Sequence, residues 1–406
     1  MFKANPERAL ADLYELRKFG KYKTGVHRPT LSPQDMQARE WLADKLRQIG
    51  HEVTIDGVAN VFGRTPAKGP VVLCGSHVES QNHAGWLDGA LGVVYALEAA
   101  RAAAEAGVDG GVDVIGFADE EGHFTGASFI GSQSFVGDVT EDQLDGSYCR
   151  SGRGTLREML DKAGLAGRPR LTIEPSRYRA FFEAHIEQGQ TLESQDLKIG
   201  VVSSIVAIWK YRITFAGVQN HAGTTTMDIR KDAGKALMQF WHKLEQAFAH
   251  VASPDSVWTV GRVSLSPGDP SIIPGGAEML FQFRDADPEI LNRMKAQLVE
   301  LVAEANQDAL CPCELHVMSE STPAHMAEAP KTALIDAGKA LTPDQWLVMP
   351  SRAGHDAQLI APHVPTAMMF VPSIGGISHH WTENTSDEDL MIGAQVYTDA
   401  VARMLA

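Results

Sequence analysis

Cysteine is scarce in this chain, with four among 406 residues, at positions 74, 149, 311 and 313. Those spacings fit neither a disulfide framework nor a four-thiolate zinc site, so the thiols read as reduced groups of a cytoplasmic protein. Basic residues are also short, 36 Lys and Arg against 51 Asp and Glu, for a net charge of −15. That balance argues against nucleic acid and anionic membrane as partners, since both reward clustered cations. Long apolar runs are missing as well. No window offers the roughly 20 continuous apolar residues of a membrane helix. The first residues, "MFKANPERALADLYELRKFG", lack the apolar core of a signal peptide and read as an amphipathic helix.

What is present is ordinary globular composition, 44% hydrophobic, over a length sufficient for more than one core. Residues 32 to 50 carry helix punctuation: Ser32 as N-cap, Pro33 in the first turn and Gly50 at the end. The short runs "HEVTID", "NVFGRT" and "VVLCGSH" read as strands, "GALGVVYALEAARAAAEAG" as a buried helix, and "VDVIGFADEEG" as a second apolar strand. Apolar strands alternating with helices predict an α/β fold whose mixed sheet is mostly parallel and flanked by helices. In such sheets, sites form at the carboxyl ends of strands.

The middle of the chain changes rhythm. "AIWKYRITFAG" alternates as a half-buried strand. A helix follows, with Leu237, Phe240, Trp241, Leu244 and Phe248 on one face. Two strands, a helix carrying Leu291, Met294, Leu298, Leu301 and Val302, and the strand "CELHVMS" complete a β-α-β-β-α-β order. This predicts a ferredoxin-like α+β domain at residues 208–325, inserted into a domain formed by 1–207 and 326–406.

Five residues stand where elements begin or end: His77, Asp88, Glu121, His185 and His379. A His/carboxylate set without thiolates suits zinc or manganese, and an open coordination position makes such a set hydrolytic. Glu120 adjoins Glu121 and should point elsewhere, free to carry a proton. Taken singly, each histidine could be a satisfied polar residue, "DEE" a solvated turn and Asp88 an N-cap.

The order of "GSHVES", "GWLDGALGV", "DEEG", "HIEQG", "NHAGTTTMDIRKDA", "IIPG", "FRD", "AGHDA" and "GGISH" resembles the hydantoinase/carbamoylase branch of the M20 metallopeptidase clan. That branch includes N-carbamoyl-L-amino-acid hydrolases, β-ureidopropionases and allantoate amidohydrolases. The resemblance implies two divalent ions per chain, zinc or manganese, with cobalt or nickel possible. One ion would take His77 and His185, the other Glu121 and His379, with Asp88 bridging. It makes Glu120 the general acid/base and the inserted domain a lid that forms a homodimer. His221 would serve both catalysis and substrate binding, and Gln188, Ser271, Arg284 and Gly354 would hold a small carboxylate-bearing substrate. The implied reaction is hydrolysis of a linear C–N bond of a ureido acid. The alternative is an aminoacylase or dipeptidase of the same clan, against which "HIEQG" argues by placing His where peptidase branches usually carry a carboxylate ligand.

Three departures bear on specificity. Ser271 stands where the branch usually has Asn. Glu79 replaces the Asp that commonly follows the first ligand, and is expected to orient His77 through a side chain one methylene longer. His380 and Trp381 follow the last ligand in place of Ser and Pro, adding an aromatic wall.

Overall fold

A computed structural model describes residues 2–125, 129–307 and 311–406. The chain divides into two units: Met1–Ser203, His325–Ser351 and His355–Ala406 form the first, Ser204–Ala324 with Arg352–Gly354 the second.

The first unit is built on a mixed sheet. Its four central strands are parallel neighbours in the order Thr366–Val371, Tyr178–Ile186, Val71–His77, Gly111–Phe117. Antiparallel partners flank them: Val61–Arg64 then Glu52–Ile55 on one side, and Ile199–Ile205 on the other. The parallel part is thus confined to the centre, because the short outer runs are joined as hairpins or return against their neighbours. Every residue of Val71–His77 and of Gly111–Phe117 is buried. That explains their unbroken apolar character, since each buried Val, Leu or Ile contributes about 1.5–3 kcal/mol. Helix Ala90–Ala106 packs across three of the parallel strands and is buried on nearly all sides. Helix Pro33–Gln48 begins as expected: Ser32 accepts the Asp35 N–H, Pro33 opens the first turn, and Gly50 follows with φ +83°.

The second unit has a four-stranded antiparallel sheet in the order Val257–Ser266, Gly276–Asp285, Ala207–Ala216, Cys313–Glu320. Helices Ala233–Val251 and Pro288–Gln307 cover one face. Leu237, Phe240, Leu244, Phe248, Leu291, Met294 and Leu298 meet Tyr211, Ile213, Met279, Phe281 and Phe283 there. Trp241 is only partly buried at the margin of that core. Along Gly276–Asp285 burial alternates residue by residue, the period of a strand with one covered face.

The four cysteines are unpaired and buried. Among the described residues, no helix is long and apolar enough to cross a membrane.

Candidate metal centre

Two adjacent parallel strands deliver the first two histidines. Cys74 pairs with Phe182, so three residues further along each strand His77 and His185 come level at the carboxyl edge. Their ring centroids are 6.0 Å apart. In each ring Nδ1 faces a backbone carbonyl, that of Glu79 for His77 at 3.1 Å and that of Ile186 for His185 at 2.9 Å. A carbonyl only accepts, so each Nδ1 carries a hydrogen, and in the neutral ring each Nε2 presents a lone pair. Those Nε2 atoms lie 3.3 Å and 3.0 Å from the same oxygen, Oδ1 of Asp88.

The second oxygen of Asp88 faces another pair. His379 Nε2 is 3.4 Å from Asp88 Oδ2 and 3.5 Å from Glu121 Oε2. The structure therefore contains two three-residue groups, His77–Asp88–His185 and Asp88–Glu121–His379, each with its donor atoms within 4.8 Å, joined through Asp88. Asp88 precedes helix Ala90–Ala106 but does not cap it. The N-cap is Gly89, with φ +67° and no side-chain cap bond. A Cβ on Gly89 would stand 2.3–2.5 Å from the His77 ring, so only glycine lets Asp88 approach this closely.

Electrostatics test whether this donor set fits a cation. Neutral rings would direct two imidazole lone pairs at one carboxylate, which is unfavourable unless a proton or a metal cation lies between them. Burial opposes a charged His77, yet Glu120, Asp88 and Glu79 hold its pKa well above the usual value. The hydrogen bond with Asp88 is the main cause that raises His379 to about 9. Burial, reinforced by neighbouring acids, pushes Glu120 well up and raises Glu121. The nitrogen and oxygen donors, without thiolate, suit zinc or manganese.

Supporting residues that the sequence reading did not single out complete the centre. Glu383, buried four residues beyond His379, accepts the backbone N–H groups of Leu87 and Asp88 at 3.4 and 3.2 Å. Burial, with Asp88 nearby, pushes its carboxyl up to about 8. Gln81 donates to Glu121 from both its backbone and its side-chain amide. His355 stands edge-on to His185 at 4.7 Å and pairs with Ser351. An acid within "HHWTENTSDED" was the one available signal for Glu383, and nothing local separated it from the surface acids beside it.

The remaining expected residues fall in different places. Gln188 adjoins the centre: its amide donates to Asp88 Oδ2 at 3.0 Å and to Ser378 at 2.9 Å. His221, Ser271, Arg284 and Gly354 belong to the second unit. There His221 and Ile272 are antiparallel partners, and the Ser271 carbonyl accepts the Ala222 N–H at 2.9 Å. Gly354 lies between strand Trp346–Ser351 and helix Asp356–Ile360. Glu79 differs from expectation. Its carboxylate is 3.9 Å from His77 Nδ1, and it is the backbone carbonyl that holds the ring, because the longer side chain reaches past the imidazole to Arg39.

Fold and site together define a metal-dependent hydrolase of carbon–nitrogen bonds. The chain belongs to the peptidase family M20/M25/M40, whose sequence profile matches residues 69–403. It is 32% identical over 400 residues to an N-carbamoyl-L-amino acid amidohydrolase of Geobacillus stearothermophilus, covering 96% of each chain. It is 32% identical over 386 residues to an allantoate amidohydrolase of Escherichia coli K12, covering 91% of each. A crystal structure of an amidase of the hydantoinase/carbamoylase family from Burkholderia phymatum superposes with a TM-score of 0.90 at 45% identity, covering 100% of this chain and 98% of the other.

Proposed function

We propose that this protein hydrolyses the linear C–N bond of an N-carbamoyl amino acid, or of a related ureido acid such as ureidopropionate or allantoate. From a carbamoyl amino acid and one water the products are the amino acid, ammonia and carbon dioxide. The observation that carries the reading is the ligand set itself, in which His185 stands beside His77 on Asp88. The carbamoylase and allantoate relatives support it.

In this reading His77 and His185 would hold one divalent ion and Glu121 and His379 a second, with Asp88 common to both groups. The ions are zinc or manganese, with cobalt or nickel as substitutes. When bound, they supply Lewis acidity, polarising the scissile carbonyl and acidifying a water. Glu120 is the residue that would take a proton from the attacking water and return it to the leaving nitrogen. Its Oε2 is 3.8 Å from His77 Nε2, beside the ligands without being one of either group.

Arg284 binds the substrate carboxylate. It is half-buried, its Nη1 donates to the Arg352 carbonyl at 2.8 Å, and among the described residues no acid lies within ion-pair distance of it. A guanidinium without a counter-ion is suited to a bidentate carboxylate. Gln188, Ser271 and Gly354 add polar contacts. His221 accepts the N–H groups of Gly223 and Thr224 at Nδ1, at 3.0 and 3.1 Å, so its proton resides on Nε2. That leaves Nε2–H to donate to a developing oxyanion. The inserted domain acts as lid and dimerisation element of a cytoplasmic homodimer.

The test is a product assay with N-carbamoyl, N-formyl and N-acetyl amino acids and allantoate. Turnover confined to the N-acetyl compounds would replace this reading with an aminoacylase.

A further inference from the structure

Helix Pro33–Gln48 sends one buried cation toward the centre. Arg39 is fully buried and every nitrogen of its guanidinium is engaged. Nε donates to Asp35 at 3.0 Å, one turn earlier on the helix. Nη1 donates to the carbonyls of Ala59 at 2.8 Å and Phe117 at 3.0 Å, the latter being the last residue of strand Gly111–Phe117. Nη2 donates to Glu79 Oε2 at 2.7 Å. The other oxygen of Glu79 accepts the backbone N–H of Glu120 at 2.6 Å.

The residues between Phe117 and Glu120 make a sharp turn. Asp119 has φ +59°, which an ordinary side chain adopts at a cost. Asp119 Oδ1 accepts the Thr30 hydroxyl and the His123 N–H, and Arg39 grips the Phe117 carbonyl at the start of the turn. Glu79 holds the far end, at the amide of Glu120. The expectation for Glu79 is that its carboxylate orients His77. Here the histidine is clamped by a backbone carbonyl that no side-chain substitution removes.

We infer that Arg39 and Glu79 form a positioning pair for Glu120: the buried guanidinium fixes the Glu79 carboxylate, which fixes the backbone from which the proton carrier projects. This inference rests on the reading of Glu120 as that carrier. Neither residue belongs to the two groups that could hold an ion. It acts by pre-setting the direction of the Glu120 side chain, and a small displacement there is expensive for proton transfer.

The experiment compares Glu79→Asp, Arg39→Lys and Glu120→Gln in the full chain. Both positioning variants should lose about tenfold or more in kcat, the scale for outlying partners of a metal site, while KM stays unchanged. Titration of zinc or manganese into metal-free protein should give wild-type affinity, because His77 keeps its carbonyl clamp. Hydrogen exchange should quicken in the peptide covering residues 118–121 and not around His77. Unchanged kcat would overturn the inference. So would metal affinity falling in step with kcat, which would assign Glu79 to His77. Failure of both variants to fold, read by circular dichroism and melting, would make the pair structural and overturn it too. If Glu120→Gln is as active as wild type, the proton-carrier reading fails. If Glu120→Gln is inactive while Glu79→Asp is fully active, only the positioning inference fails.

Discussion

The side-chain amide of Gln188 donates to Oδ2 of Asp88, the carboxylate shared by both ligand groups, at 3.0 Å. Gln188 itself sits at φ +58°, with its backbone N–H held by the Ser373 hydroxyl at 3.0 Å. A residue held in that conformation has a fixed side-chain direction. Removing the amide by Gln188→Ala should therefore weaken metal retention by about 10–100-fold, as for other groups that orient a ligand. Metal titration of the apo chain measures this. An unchanged metal affinity with a raised KM would make Gln188 a substrate contact only.

Chelation should abolish activity, and zinc, manganese or cobalt should restore it. His185→Ala should lose mainly one ion, since His185 belongs to one group, whereas Asp88→Ala should disturb both. Elemental analysis of each purified variant reads the stoichiometry. A fully active protein free of transition metal would end the assignment.

Glu120→Gln keeps the volume of the side chain and removes the proton it would carry. We expect kcat to fall by ~10²-fold or more, the scale of general acid–base groups, with metal content near wild type. Steady-state kinetics beside metal analysis settles whether the loss is catalytic.

Arg284→Met should raise KM for a carboxylate-bearing substrate by the equivalent of about 1.5–3 kcal/mol, the range for hydrogen bonds to a charged group. Stability should change little, since this guanidinium has no acidic partner among the described residues to strand. An amide analogue of the substrate should show almost no difference between the two proteins.

His221 is exposed on a two-residue strand paired with Ile272–Ile273. If it serves the partner's centre in a homodimer, mixing a His221→Ala chain with a Glu120→Gln chain regenerates intact sites in the mixed dimers. Activity should return after subunit exchange, and verified mixed dimers that stay inactive would refute the shared-site arrangement.

Much of the centre could be read before any coordinates. His77, Asp88, Glu121, His185 and His379 each stand where an element begins or ends, and the order of the motifs that carry them, rather than any one of them, marked them as a set. Locally, a polar His can close a strand and an Asp can cap a helix, and only the structure shows that Asp88 does not cap the helix that follows it. Apolar periodicity disclosed both helices of the second unit, since burial of one face is written at spacings of 3 and 4. Side-chain chemistry and local period are properties of neighbouring residues, so sequence alone determined the strands, the helices and which side chains could serve as ligands.

Tertiary structure alone decided which of these meet. His77 and His185 are level only because two strands more than 100 residues apart in sequence lie side by side, and strand order is a long-range choice that no local pattern encodes. The same holds for Glu383, which accepts the Asp88 N–H, and for Arg39, whose guanidinium meets the carbonyl at the end of a distant strand. Glu79 makes the point at the scale of one methylene. Its chemistry was legible, but whether its carboxylate would reach His77, Arg39 or Glu120 depended on where folding placed their backbones.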